Sequence, residues 1–285
     1  IFPNVSPKLT GDSELAQYFK ENRFSHIIVG SDQVWRYKYG KEFFPNFFIN
    51  FDIPPETKKV AFSASFGTSK WECDAVREEV SGYLTKFDAI SLREHDGVEL
   101  CSNYFGVTSP KHTCDPTLLN DISLYLEVCQ DVVVNKRKLS TYVLDSRASV
   151  NILISDISSA LDVCREDIHQ FGHRRSRKLR DDNLAEWLSV FRDSDFIITD
   201  SFHGMIFSII FRKPFYVIVN NARGASRFES LLSLLGLTDR MIDPDIPIKI
   251  EDFNTEVDYA DIIDNLEKFI GFSKDFLHAS LTLRS

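Results

Sequence analysis

Five short stretches of the chain carry side chains that can hold an anion or move a proton, four of them together with a glycine or proline. Gly30-Ser31-Asp32-Gln33-Val34-Trp35 follows an apolar run. A glycine there lets backbone approach a ligand closely, while Ser31, Asp32 and Gln33 offer hydrogen bonds; a capped turn uses the same residue types. Ser63-Ala64-Ser65-Phe66-Gly67 places Ser63 and Ser65 on one strand face ahead of a glycine, although strand serines also bond to backbone alone. Ser91-Leu92-Arg93-Glu94 ends a third apolar run with an arginine. Its planar fork matches carboxylate and phosphate, and burial is costly unless Glu94 or another carboxylate pairs with it. In Cys114-Asp115-Pro116-Thr117 the proline makes a sharp exit and Asp115 ties the turn. Thr199-Asp200-Ser201-Phe202-His203-Gly204 runs from a strand into a helix. Asp200 or Ser201 caps that helix, and His203 sits in its first turn, where unpaired N–H groups favour an anion.

Two basic stretches join them. Arg223-Gly224-Ala225-Ser226-Arg227 sets two guanidinium groups near another helix start, as a phosphate clamp or as a solvated turn. The run from His173 to Arg180 resembles a nucleic-acid patch in charge, yet it has no interleaved aromatic residues for stacking bases. A solvated loop, or one that meets an anionic acceptor, fits it better.

The elements that must position these residues read as alternating strands and helices. Strands are predicted at His26–Val29, Val60–Phe66, Phe87–Leu92, Thr141–Leu144, Asp167–Phe171, Phe196–Thr199 and Phe215–Val219. Helices are predicted from Asp12 or Ser13 to Asn22, Cys73–Lys86, Asp181–Arg192, Ser226–Leu235 before Gly236, and Tyr259–Leu281. Such alternation implies mostly parallel sheets covered on both faces, with ligands beyond the carboxyl ends of the strands. A polar break at Gln130–Ser140 divides the chain into an N-terminal domain at 1–135 and a second at 136–258. The helix in 259–285 is expected to pack across both.

The 285 residues carry 33 Lys+Arg against 42 Asp+Glu, a net charge of -9. That balance argues against nucleic acid or an anionic membrane as the main partner. The apolar runs are too short to span a bilayer, which leaves peripheral membrane contact open. Five scattered cysteines without a Cys-x-x-Cys suggest neither a disulfide framework nor a zinc site. Reduced thiols in a cytoplasmic protein are expected.

Taken together, the strand-tip motifs resemble the polysaccharide pyruvyl transferase family. The resemblance rests on Gly30–Trp35, Ser63–Gly67, Ser91–Glu94, Asp115–Thr117 and Asp200–Gly204, in the family's order. It implies two Rossmann-like domains arranged as in GT-B glycosyltransferases, with the active cleft between them. It implies transfer of pyruvate from phosphoenolpyruvate to two hydroxyls of a sugar, oligosaccharide or lipid-linked sugar, as a cyclic ketal in a capsule, exopolysaccharide or cell-wall polymer. Arg93 matches the family's donor-binding arginine on the first domain, and His203 the histidine of an Arg-x-His element on the second. Ser201 stands where some members carry the arginine of that element, which makes Arg223 and Arg227 candidate substitutes. Nothing before Gly11 matches the family's opening strand and glycine loop, so the first βα unit is expected to be missing. The expected catalytic residues are Arg93 and His203, matched through the resemblance, with Asp32 or Asp200 to orient a hydroxyl or hold His203; Gly30, Ser31, Gln33, Ser65, Gly67, Ser201, Gly204, Arg223 and Arg227 are expected to bind substrate. The donor is a substrate, and neither a cofactor nor a metal is expected. Two other classes fit the same architecture: a glycosyltransferase using a nucleotide sugar, and a non-catalytic carbohydrate-binding protein.

Overall fold

A computed structural model describes residues 4–133, 137–168, 180–219, 224–246, 253 and 256–282. The chain forms two compact units, Ile1–Pro116 with Phe269–Ser285, and Thr117–Lys268.

In the first unit, β1 (His26–Val29), β2 (Lys58–Ala64), β3 (Ala89–Leu92) and β4 (Lys111–His112) form a sheet in that order, every pair parallel. The registers Val29 to Ala61, Ala64 to Leu92 and Leu92 to His112 bring the carboxyl ends of the strands to one edge. One face is packed with aromatic residues. Trp35 is fully buried, stacks on Phe48 at 5.3 Å and tilts against Phe66 at 5.4 Å. The helix Arg77–Leu84 buries Val80 and Leu84 in the same core. Residues of the last helix, Tyr259–Leu281, that belong to this unit pack elsewhere on it: Phe276 meets Phe62 and Phe269 meets the His112 ring.

In the second unit, β5 (Arg137–Tyr142), β6 (Arg165–Asp167), β7 (Ser194–Thr199), β8 (Phe215–Ile218) and β9 (Met241–Ile242) form a parallel sheet in the order β6-β5-β7-β8-β9. The helix Ala148–Ala160 packs Val150, Ile154 and Ile157 with Phe196, Tyr216 and Ile218. In a separate cluster Trp187, of the helix Arg180–Asp193, meets Phe207 edge-on at 5.0 Å. Two parallel sheets with helices between their strands make this an α/β protein of two Rossmann-like units.

Most departures from the sequence reading fall at strand ends. β6 is Arg165–Asp167 against an expected strand at Asp167–Phe171, of which residues 169–171 lie outside the described residues, and the helix Ala148–Ala160 is not among those predicted. β2 stops at Ala64 rather than Phe66, because the amides of Phe66 and Gly67 turn to the Glu94 carboxylate. β5 starts at Arg137, inside the polar break, with Leu139 fully buried, and it ends at Tyr142. The next amides, of Leu144 and Asp145, bond to Asp200. β4 and β9 are two-residue strands without a periodicity to reveal them.

Candidate functional site

On the first unit the tips of β1, β2, β3 and the segment after β4 converge on Arg93. Its main-chain N–H donates to the Ala64 carbonyl at 2.9 Å, so the side chain leaves the sheet at the last rung. Nη1 donates to Asp115 Oδ2 at 2.7 Å and Nη2 to Asp32 Oδ1 at 2.9 Å. The Ser31 hydroxyl donates to the same Asp115 oxygen at 3.1 Å. Burial opposes the charge on Arg93, but Asp115, Glu94 and Asp32 outweigh it and raise its pKa, so the guanidinium is a permanent cation.

Backbone detail makes this convergence. Gly30 has φ +123, and a Cβ there would collide with the Phe62 carbonyl oxygen, so the β1 tip can lie against β2 only with glycine. Asp32 follows at φ +67, a left-handed conformation that aspartate tolerates, and pairs in a bridge with Ala64. The Trp35 N–H donates to the Ser65 carbonyl at 3.1 Å and holds the loop down. Buried hydroxyls fix the segment carrying Asp115: Ser63 donates to the Cys114 carbonyl at 2.5 Å and Thr113 to Ser91 Oγ at 2.8 Å. Glu94 is fully buried. Its Oε1 accepts from the amides of Phe66 at 2.8 Å and Gly67 at 3.3 Å, and among the described residues Oε2 has no hydrogen-bond partner. Burial pushes its carboxyl above the usual range despite the Arg93 charge. Gln33 lies against Gly67 and accepts from Arg36 Nη1 at 2.8 Å, and Ser65 Oγ accepts from the Gly67 amide at 3.0 Å.

On the second unit the β7 tip feeds the helix Phe202–Ile210. Asp200 accepts from the amides of Leu144 at 2.6 Å and Asp145 at 2.9 Å, one on each oxygen, which ties the β7 tip to the β5 tip. Ser201 is the N-cap, its Oγ accepting from Gly204 N–H at 3.3 Å. A Cβ at Gly204 would strike Thr199 Oγ1, which itself donates to the Tyr142 carbonyl at 2.6 Å. His203 is partly exposed in the first turn. A second helix start comes close: Arg227, in the first turn of Ser226–Leu235, is buried with its guanidinium 5.4 Å from the Phe202 ring and 5.7 Å from Phe228.

The structure thus gathers Arg93, Asp32 and Ser31 on the first unit, with Gly30, Gln33, Ser65 and Gly67 shaping their loops. It gathers Asp200, Ser201, His203, Gly204 and Arg227 on the second. Arg223 and residues 173–179 of the basic run lie outside the described residues. Asp115, read from sequence as a turn residue, holds Arg93. The sequence signals only that an arginine at a buried strand end requires a carboxylate; that Asp115 supplies it depends on β4 lying beside β3. Among the described residues, His95, Asp96 and Glu99 bring ligand atoms within 4.8 Å of one another, on one mostly exposed turn. No described helix is long and apolar enough to cross a membrane.

A family model described as polysaccharide pyruvyl transferase matches residues 3–222 of the chain. No curated protein matches it.

Proposed function

The chain belongs to the polysaccharide pyruvyl transferase family, and from that premise we propose that it moves pyruvate from phosphoenolpyruvate to a sugar diol as a cyclic ketal, releasing phosphate. The observation that carries this reading is a permanently charged guanidinium at the β3 tip beside an exposed carboxylate at the β1 tip. The donor bears a carboxylate and a phosphate, and charge-assisted bonds from arginine are about twice as strong as neutral ones.

In the proposed reaction the donor's methylene carbon takes a proton, C2 becomes cation-like, and one sugar hydroxyl bonds to it. The C2–O bond to phosphate then breaks, phosphate leaves with the electron pair, and the second hydroxyl closes the ketal. Of the two hydroxyl protons, one is balanced by the new methyl hydrogen and the other departs with phosphate. Arg93 binds a donor oxyanion. His203 contacts the phosphate and serves as general acid. Arg227, Ser201 and the Gly204 end of its helix supply further anion contacts. Asp200 supports His203 indirectly, by fixing the β7 tip. The reaction is placed in the cytoplasm, on a capsule, exopolysaccharide or cell-wall precursor.

The test is incubation with phosphoenolpyruvate and a panel of diol-bearing sugars, read by phosphate release and by the mass of the acceptor. A gain of one pyruvyl ketal is expected. Arg93→Ala and His203→Ala should each lose about 100- to 1,000-fold in turnover, by analogy with removing one preorganised donor. Near-wild-type turnover in both removes them from the site. Thermal stabilisation by nucleotide sugars and not by phosphoenolpyruvate would replace this reading with a glycosyltransferase.

A further inference from the structure

The cation at the β3 tip, assigned above to an anionic donor, already holds two carboxylates. Arg93 carries one positive charge, and Asp115 and Asp32 each bring a carboxylate within 2.9 Å of it. The three side chains together are negative. Both terminal nitrogens of the guanidinium already bond to carboxylates, so a donor oxyanion that bonds to either must share it or displace one of the two acids.

The two acids differ in how firmly they are held. The Asp115 side chain is 3% exposed, and the oxygen that Arg93 grips also accepts from Ser31. Taking it away would leave a buried guanidinium short of its countercharge, which is strongly unfavourable. The Asp32 side chain is 65% exposed and sits on the glycine-led loop at the β1 tip. A solvated partner of this kind is held weakly and returns to water at little cost.

We propose that Asp32 is an exchangeable cover on Arg93: a donor oxyanion takes its place at Nη2, and the carboxylate so released accepts the proton of the acceptor hydroxyl. Resting on the donor assigned above, this gives Asp32 two states and couples them to the order of events. Before the donor binds, Asp32 is paired with a cation and is a poor base. Once it is displaced, Asp115 keeps its hold on Arg93, and the Asp32 carboxylate stands on the loop beside the bound donor. The hydroxyl oxygen then forms its bond to C2 while its proton passes to Asp32. The electron pair of the C2–C3 double bond takes a proton at C3 from the general acid. Asp32 gives its proton up as phosphate departs.

The experiment is calorimetric titration of the full chain with phosphoenolpyruvate, inorganic phosphate and pyruvate, in wild type, Asp32→Asn and Asp115→Asn, together with turnover on an acceptor. Asparagine adopts the left-handed conformation of position 32 readily, so Asp32→Asn keeps the loop. The expected result is that Asp32→Asn binds phosphoenolpyruvate about fivefold tighter, the scale of one exposed ion pair, while kcat falls about 100-fold or more. Whichever of phosphate and pyruvate gains with it marks the end of the donor that sits on Arg93. Asp115→Asn is expected to weaken donor binding; if it does not fold, Asp32→Asn alone decides between exchange and a static pair. Unchanged or weaker binding in Asp32→Asn, undiminished turnover, or equal tightening in both variants overturns the exchange and leaves the donor assignment standing. Wild type that binds no phosphoenolpyruvate overturns the donor assignment and the exchange with it.

Discussion

Glu94 and His112 sit behind the arginine and make its surroundings sensitive to pH in opposite senses. Glu94 has a folded pKa raised above its ordinary 4.5 by burial. A raised acid favours the fold while protonated, and that contribution is lost as pH climbs through the folded value. Glu94→Gln copies the protonated form and keeps an acceptor for the Phe66 and Gly67 amides. Chemical denaturation should therefore show it gaining on wild type as pH rises above 4.5, whereas Glu94→Ala should cost about 1–3 kcal/mol by stranding buried donors. His112 is the reverse case. Its Nε2–H donates to the Arg93 carbonyl at 3.2 Å, and burial lowers its pKa from 6.5 to about 4. Its contribution is complete above 6.5 and disappears as pH falls toward 4, a loss of about 3 kcal/mol at about 1.4 kcal/mol per unit. The difference in unfolding free energy between wild type and His112→Gln should narrow across that window; a constant difference would mean the ring titrates normally. Sequence could nominate Arg93, because an arginine at the end of an apolar run needs an explanation. It could not show which of Glu94, Asp115 and Asp32 supplies the countercharge, since that depends on which strand tips are neighbours.

Strand tips are positioned by the residues just inside them, and the β7 tip shows how little slack exists. Thr199 Oγ1 donates to the Tyr142 carbonyl and accepts from Ser201 N–H at 3.0 Å, so it cannot retreat from a methyl group at position 204. Gly204→Ala is expected to cost about 1–3 kcal/mol through overpacking, and to displace the first turn that carries His203. Thermal unfolding with the near-ultraviolet spectrum checks it, and an unaltered melting temperature would mean the helix start shifts freely. The same tip explains what is legible in the sequence. Phe196–Thr199, a cap at Asp200 or Ser201, the helix Asp181–Arg192 and the stop at Gly236 are local signals, and each element lies where its pattern points, with Ser201 the one of the two cap candidates that caps. The helix Ala148–Ala160 also carries one, with Val150, Leu153, Ile154 and Ile157 at i, i+3, i+4 and i+7, although it is missing from the helices predicted above. β4 and β9 carry no such signal, because two residues are too few to show a period. Tertiary partners decide such segments.

For the whole molecule, the net charge of -9 sets the terms on which an anionic donor arrives. Two effects oppose each other over different ranges. Repulsion from the surface acidic groups acts through solvent and decays with the Debye length, about 30 Å at 0.01 M salt and about 10 Å at 0.1 M. Attraction to Arg93 acts at contact, where the side chain is 1% exposed and salt screens it little. Raising salt should thus remove the unfavourable effect more than the favourable one. The expected outcome is that kcat/KM for phosphoenolpyruvate holds or rises between 0.01 and 0.1 M salt, about the range over which that screening length shortens. An enzyme that steers its substrate with a basic surface shows a fall. A steep fall here would mean that a local positive field governs encounter despite the overall charge, with the run from His173 to Arg180 as its source in the sequence. Neutralising Arg174, Arg175 and Arg177 would then abolish the salt dependence, whereas if contact with Arg93 governs capture it leaves the profile unchanged.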